Sequence, residues 1–350
     1  MIIYYILFFI VVCCIVREKP QSSNSILKLL CFITFCILGF RSYSIGSDTS
    51  SYIEEYISGD YFIRSVDQGF SYFNYWLHEF GLSPRLYLMI VSLIIVLPVF
   101  AFISRYSQIN KSFTVLLYLS IGNFTFNLAG MRQSLAIAFI LIGLVLLNRI
   151  ERTLPKYIIV ILAIYLAYMF HYTAIVCMLL IPLLWFSDYR FPKDKKLIKI
   201  LLIALPIIIM YSTKYVANVV NFFMISKYEN YETDFGDANI ISYIVIPYCI
   251  YLYTLFLYFR SKSSYWEKNF CFYCSIVHMC IAACTLYMPM LGRFEYYFSM
   301  PLICLIANLT MELPLSTRRL FVFAISIVCM AFFLISTPGG TLKIDNYSFF

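Results

Sequence analysis

The feature that most constrains this chain is a succession of charge-poor apolar runs repeating from one end to the other. Each is roughly as long as the ~20 residues a helix needs to cross the ~30 Å hydrocarbon core of a bilayer, several being shorter. They fall at roughly 2–16, 25–40, 86–103, 112–130, 133–148, 157–170, 172–187, 198–212, 240–259, 269–288, 296–311 and 320–337, which predicts about twelve crossings. Composition agrees: 62% of the 350 residues are hydrophobic, 19% aromatic and 13% charged. A soluble domain carries about a quarter charged residues, so a cytosolic enzyme is excluded, and disorder would need low hydrophobicity. The expected architecture is all-α: a polytopic membrane helix bundle, a single transmembrane domain over 1–350, with interfacial helices in its outer loops.

The net charge of +8 does not indicate nucleic acid, because no basic stripe is present. It follows membrane sidedness instead. One set of alternate loops carries Arg17, Lys19, Lys28, Arg105, Lys111, Arg149, Arg152 and Lys156, then the clusters around Arg190 to Lys199, Arg260 to Lys268, and Arg318 with Arg319. Short loops rich in Lys and Arg stay cytoplasmic, so both termini are expected outside. Ile2 to Val16 lacks a basic leader and a cleavage site and is read as a helix. The 12 cysteines mostly sit in apolar runs, where a thiol behaves as a small hydrophobe. Cys271, Cys274, Cys280 and Cys284 lie in a membrane-helix pattern with only His278 near, so no metal site is expected.

Two outer segments are longer than the rest, 41–85 and 211–239. In the first, Phe70, Phe73, Leu77 and Phe80 recur at helical spacing beside Trp76, which suits an amphipathic helix in the membrane interface. The second, with Tyr228, Glu229, Tyr231, Glu232, Asp234 and Asp237, has the composition of a lid.

Cations outside oppose the sidedness rule and therefore carry information: Arg41, Arg64, Arg85, Arg132, Lys214, Lys227, Arg293 and Lys343. In Gly130-Met131-Arg132-Gln133 the hairpin is so tight that Arg132 must stay near the membrane, where ionisable groups face a bundle interior or a wet cavity. Snorkelling to headgroups is the plainer explanation. Gly130, Ser134 and Ala138 make a small-residue stripe suited to close helix packing. His171 sits between two short apolar runs on the same face, as a structural hydrogen-bonder or a reactive group. Arg293 lies two residues from Glu295, with an interfacial salt bridge as the simple reading. Asp48, after Arg41 and a turn at Gly46, is placed to cap a helix or to act chemically. Arginines converging on an outer cavity would grip phosphate or pyrophosphate through paired hydrogen bonds.

In order and spacing these residues resemble the EpsG-like and Wzy-type family of bacterial polysaccharide polymerases. The matching pieces are Gly46-Ser47-Asp48 with Tyr52, Asp67-Gln68-Gly69-Phe70, Met131-Arg132-Gln133, Phe170-His171-Tyr172-Thr173-Ala174, and Arg293-Phe294 before Tyr296-Tyr297. The resemblance implies a multi-pass protein of the bacterial inner membrane with a periplasm-facing site. There, undecaprenyl-pyrophosphate-linked repeat units would be polymerised into O-antigen, capsule or exopolysaccharide. Glycan donor and acceptor would both be lipid-linked, the remaining partners being membrane lipid and a chain-length regulator, with no nucleic acid. An acceptor hydroxyl attacks an anomeric carbon and the lipid pyrophosphate leaves, so no nucleotide, ATP or other cofactor is required. On this reading Arg132 and Arg293 bind pyrophosphate and Arg41 assists. His171, Asp48 or Glu295 serves as base.

Two other classes compete. A lipid-linked oligosaccharide flippase would place polar groups near the midplane, in two related halves, whereas here the odd charges cluster at one face. A single-sugar transferase using a polyprenyl-phosphate donor would employ paired acids in the first outer loop, for which Glu54 and Glu55 are candidates.

Overall fold

The computed structural model describes residues 2–19, 23–61, 67–108, 110–147, 153–192, 195–224, 244–263, 265–288, 291–336, 343–344 and 346–349. Fifteen α-helices are found among them: α1 (Ile2–Arg17), α2 (Ser23–Gly39), α3 (Thr49–Ser58), α4 (Gln68–Glu79), α5 (Pro84–Tyr106), α6 (Lys111–Ser120), α7 (Asn123–Ala129), α8 (Met131–Leu147), α9 (Thr153–Phe170), α10 (Leu180–Phe186), α11 (Lys196–Met224), α12 (Ile246–Arg260), α13 (Trp266–Cys284), α14 (Gly292–Met311) and α15 (Leu315–Ser336). A 3-10 run, Tyr172–Leu179, joins α9 to α10. The chain divides into two compact units, one of residues 1–181 and 306–350, the other of 182–305.

The helices follow the apolar runs, but the crossing count differs from the sequence expectation. By length and composition Pro84–Tyr106, Lys196–Tyr215 and Leu315–Phe333 can each cross a membrane, and α6 with α7 makes a fourth span bent by 56°. Most of the remaining apolar helices are shorter. The 17 residues of α8 reach about 26 Å at 1.5 Å per residue, short of a ~30 Å core. Twelve full crossings are therefore not established by helix length. The segment 41–85 holds α3 and α4. α11 continues to Met224, into the second long segment, whose remaining residues, including Tyr228 to Asp237, lie outside the described residues.

In the first unit, α8 is the central helix, with nearly every residue between Met131 and Leu144 buried. It packs on α9 at Gly143, where a β-carbon would lie 2.5 Å from that of Ala163, and at Phe139, whose ring meets Phe170 at 4.8 Å. Of the Gly130, Ser134, Ala138 stripe, Ser134 and Ala138 are buried and Gly130 faces the Phe126 ring. Ser83 caps α5 by accepting the Leu86 N–H at 3.4 Å, with Pro84 at the first helical position. Asn110 caps α6 in the same way through Phe113. The α6–α7 bend falls at Gly122, whose φ of 89° a glycine adopts without strain.

The C-terminal stretch is a strap across the first unit. The Ser42 and Gly46 amides donate to the carbonyls of Ser348 and Lys343, at 2.9 and 3.1 Å. Tyr347 donates to the Ile37 carbonyl and Tyr4 to that of Ile344. Gly46 has φ +94°, and a β-carbon there would lie 2.0 Å from the Leu128 carbonyl oxygen.

In the second unit, Tyr258 of α12 and Phe272 of α13 stack at 3.6 Å. Arg190 donates to the Tyr258, Ser261 and Ser263 carbonyls, so its cation closes the carboxyl end of α12. Cys271 and Cys274 are buried within α13.

Gly46→Ala combines left-handed strain with a backbone clash and is expected to cost roughly 2–4 kcal/mol. A detergent-solubilised variant should show a lower thermal midpoint than the parent; an unchanged midpoint would mean that Gly46 is not pressed against the Leu128 carbonyl.

Candidate functional site

Arg132 is the second residue of α8, and only Gly130 separates α8 from α7. The arginine therefore cannot swing away from the helix junction. Its Nη1 forms an ion pair with an Asp67 carboxylate oxygen. Its Nε donates to the Tyr52 hydroxyl at 3.0 Å, and the guanidinium carbon lies 5.6 Å from the centre of that ring. Nη2 has no hydrogen-bond partner among the described residues. The Arg132 side chain is 19% exposed against 4% for Asp67, so the pair is sunk in protein with its cation at the opening.

Asp67 stands at the position that precedes α4, where a carboxylate ordinarily caps the helix. Here its side chain makes no cap. One oxygen goes to Arg132 and the other accepts the Tyr172 N–H at 3.2 Å, while its backbone carbonyl accepts the Phe70 and Ser71 amides. The buried face of α4 is Phe70, Ser71 and Asn74, whereas Tyr72, Trp76 and Phe80 point outward. Gly69 lets this face approach α9: a β-carbon there would lie 2.7 Å from that of Met169. The helix is amphipathic as the sequence implied, but its outer face is aromatic and its inner face partly polar.

His171 breaks α9 with extended backbone at φ −157° and is 6% exposed. Its Nδ1 accepts the Thr173 N–H at 3.3 Å and meets the Thr173 hydroxyl at 3.0 Å. A backbone amide can only donate, so the neutral ring carries its hydrogen on Nε2. The residue after His171 is the one whose amide binds Asp67, so the α9 break and Arg132 share a carboxylate.

Arg41 is 1% exposed. Its Nη1 donates to the Leu38 carbonyl and, at 3.4 Å, to Ser92; Nη2 donates to Thr49 at 3.5 Å. Burial draws its guanidinium down to about 10, still charged at neutral pH. The Thr49 hydroxyl also donates to the Leu128 carbonyl at 3.3 Å, which pins the start of α3 beside α7. Asp48 is half-buried at the head of α3; its side chain makes no cap and accepts the Ser47 hydroxyl at 2.9 Å. Arg41, Asp48, Arg132 and His171 all lie in the first unit.

Arg293 and Glu295 lie in the second unit, on the first turn of α14. Arg293 is exposed and Glu295 half-buried, and no ion pair joins them among the described residues.

Asp67 and Tyr52 are the partners that residue-by-residue reading left out of the site. Their signal was present: both stand in the short motifs that carry the family resemblance. Glu55, three residues beyond Tyr52 and half-buried, adds its charge to the surroundings of Arg132, whereas Glu54 faces solvent.

The sequence model described as the EpsG family matches residues 24–349. No curated protein and no solved structure matches the chain.

The double-mutant cycle of Asp67→Asn and Arg132→Gln should give a coupling of about 1–3 kcal/mol in thermal unfolding, as for groups sharing a buried ion pair. Additive effects would show that the two charges do not sense each other.

Proposed function

Because this chain belongs to the EpsG family, a group of membrane proteins of polysaccharide synthesis, we propose that it joins lipid-linked repeat units by glycosyl transfer. The donor is a growing glycan on undecaprenyl pyrophosphate, the acceptor a lipid-linked repeat, and the site opens on the periplasmic side of the inner membrane. One observation carries this reading. The cation singled out by the family motif is held at the bundle's mouth by Asp67 and Tyr52, with Nη2 unengaged by the described residues.

In the reaction, an acceptor hydroxyl oxygen bonds to the donor's anomeric carbon as the carbon–oxygen bond to the pyrophosphate breaks. The pyrophosphate leaves with the electron pair and gains negative charge, and the hydroxyl proton passes to a base. Asp67 already compensates the Arg132 charge, so Nη2 adds a directed donor to the leaving group without bringing a bare cation into the site. Stabilisation aimed at developing charge is worth about 10²–10³ in rate when one donor is removed. His171, with hydrogen on Nε2, supplies a donor in this state rather than a lone pair, so the base role falls more naturally to a carboxylate. Asp48, half-buried at the head of α3, and Glu55, half-buried beside Arg132, are the candidates. Arg41 acts by positioning: it fixes Thr49 and with it the helix that presents Tyr52. Arg293 and Glu295 keep their places in the proposal through the Arg293-Phe294 motif alone, as a second diphosphate cation and a further candidate base.

Arg132→Lys keeps the charge but loses the fork that reaches Asp67 and Tyr52 together. Polymerisation in membranes supplied with lipid-linked repeats should fall at least tenfold, with well-expressed protein and single repeats accumulating. Normal polymer length from Arg132→Lys and Arg132→Ala would remove Arg132 from the reaction. Accumulation of repeats on the cytoplasmic side of the membrane would favour the transporter reading.

A further inference from the structure

The first unit has a second charged recess, at the other end of α2 from Arg41. It is a cavity of about 860 Å³ between the carboxyl end of α1, the amino end of α2, the α5–α6 link and the amino end of α15. α2 runs between Arg41 and this recess, about 26 Å for its 17 residues at 1.5 Å each.

One wall is apolar, formed by Val12, Ile15 and Val16 of α1 with Val322 and Phe323 of α15. Phe323 is 66% and Val16 81% exposed, and only 6% of the membrane-length window of α15 is buried. The recess is thus open along a helix face that bilayer lipid would cover. Its other side is cationic, with Lys19, Lys111, Arg318 and Arg319.

The acid in the recess is already committed. Glu18 accepts the Lys111 and Ser112 amides at 2.7 and 2.8 Å, the Ser23 hydroxyl at 2.6 Å and the Ser112 hydroxyl, so its charge is spent on the amino end of α6. Lys111 Nζ donates to Asn24 and Arg318 Nη1 to the Met311 carbonyl, both neutral acceptors. Arg319 is exposed and has no partner among the described residues. Three cations, Lys111, Arg318 and Arg319, with neutral acceptors or none among the described residues, beside one engaged carboxylate and an apolar wall open to lipid, match a molecule with an anionic head and a hydrocarbon tail. The volume lies within the ~300–1,000 Å³ usual for ligand sites.

We propose that this recess binds a lipid with an anionic phosphate headgroup, its phosphate between Arg318, Arg319, Lys111 and Lys19 and its acyl chain along α1 and α15. The site is separate from the Arg132 site and does not depend on the polymerase reading.

The test is native mass spectrometry of the purified full chain in detergent, titrated separately with phosphatidylglycerol and phosphatidylcholine of equal acyl chains, with and without millimolar glycerol 3-phosphate. The parent should retain phosphatidylglycerol at least tenfold better than phosphatidylcholine. R318Q/R319Q should lower that retention at least fivefold, and R17Q, an exposed arginine at the same end but outside the recess, should leave it unchanged. If the double variant does not fold, R319Q alone should lower retention at least twofold, since its side chain has no partner among the described residues. Equal retention of the two lipids, no change in the variants, or an equal loss in R17Q would overturn the proposal. Displacement by glycerol 3-phosphate would overturn it too, by assigning the recess to a soluble phosphate.

Discussion

A guanidinium on the first turn of an apolar helix is stable as a cation only if an anion and further acceptors come within hydrogen-bond reach, because desolvation would otherwise cost several kcal/mol. Asp67 meets that requirement for Arg132, and Arg132 meets it for Asp67, which is the more deeply buried of the two. Neither charge is tolerable alone at this depth. The pair therefore acts as a constraint on chain path: the segment before α4 must come to the top of α8, and Tyr52 of α3 must come with it. Because the second Asp67 oxygen holds the Tyr172 amide, the end of α9 is drawn to the same point. Four stretches distant in sequence are fixed by one compensated charge.

The helices can obey that constraint because side chains are missing where backbones meet. Gly69 admits Met169 and Gly46 admits the Leu128 carbonyl; a β-carbon at either would overlap its neighbour. Gly143 does the same for α8 and α9. The buried Arg41 and the C-terminal strap hold α3 from the opposite side, through Thr49 and the 41–46 turn. The arrangement places rigidity behind the Arg132 pair and leaves the open side of its guanidinium facing outward. Preorganised donors are effective because little reorganisation accompanies the development of charge.

Much of this was legible in the sequence, for physical reasons that differ from residue to residue. Apolar runs mark helices because a backbone out of water must satisfy its own hydrogen bonds. Gly130 marks a break because the hairpin has no other residue to spend. Crossing number is less legible, because an apolar run can end up as a bent pair, as α6 and α7 do, or as a helix too short to span. The aromatic spacing in α4 gave the helix but mixed its two faces, since Phe70 is buried and Trp76 and Phe80 are exposed. In a bilayer the aromatic side can face lipid, and the polar stripe that includes Asn74 turns inward. Asp48 and Asp67 both precede a helix and look alike as caps. The carboxylate of Asp67 is claimed by an arginine 65 positions away, and nothing local in the sequence distinguishes that from capping.

The two ends of the first unit treat positive charge in opposite ways, and the difference bears on specificity. Arg132 is matched by an acid from its own chain, which leaves Nη2, with its two N–H groups, to engage a ligand. A ligand bound there is selected by geometry, because the charge is already largely compensated and little non-directional attraction remains. At the far end of α2 the nearby acid, Glu18, directs its hydrogen bonds to the first turn of α6 and forms none to the side chains of the surrounding cations among the described residues. Attraction there is broad and summed over several flexible side chains, as suits a headgroup whose position along the bilayer is set by its tail. A site that performs chemistry needs the first kind of charge. Anchoring a protein in a charged leaflet needs only the second.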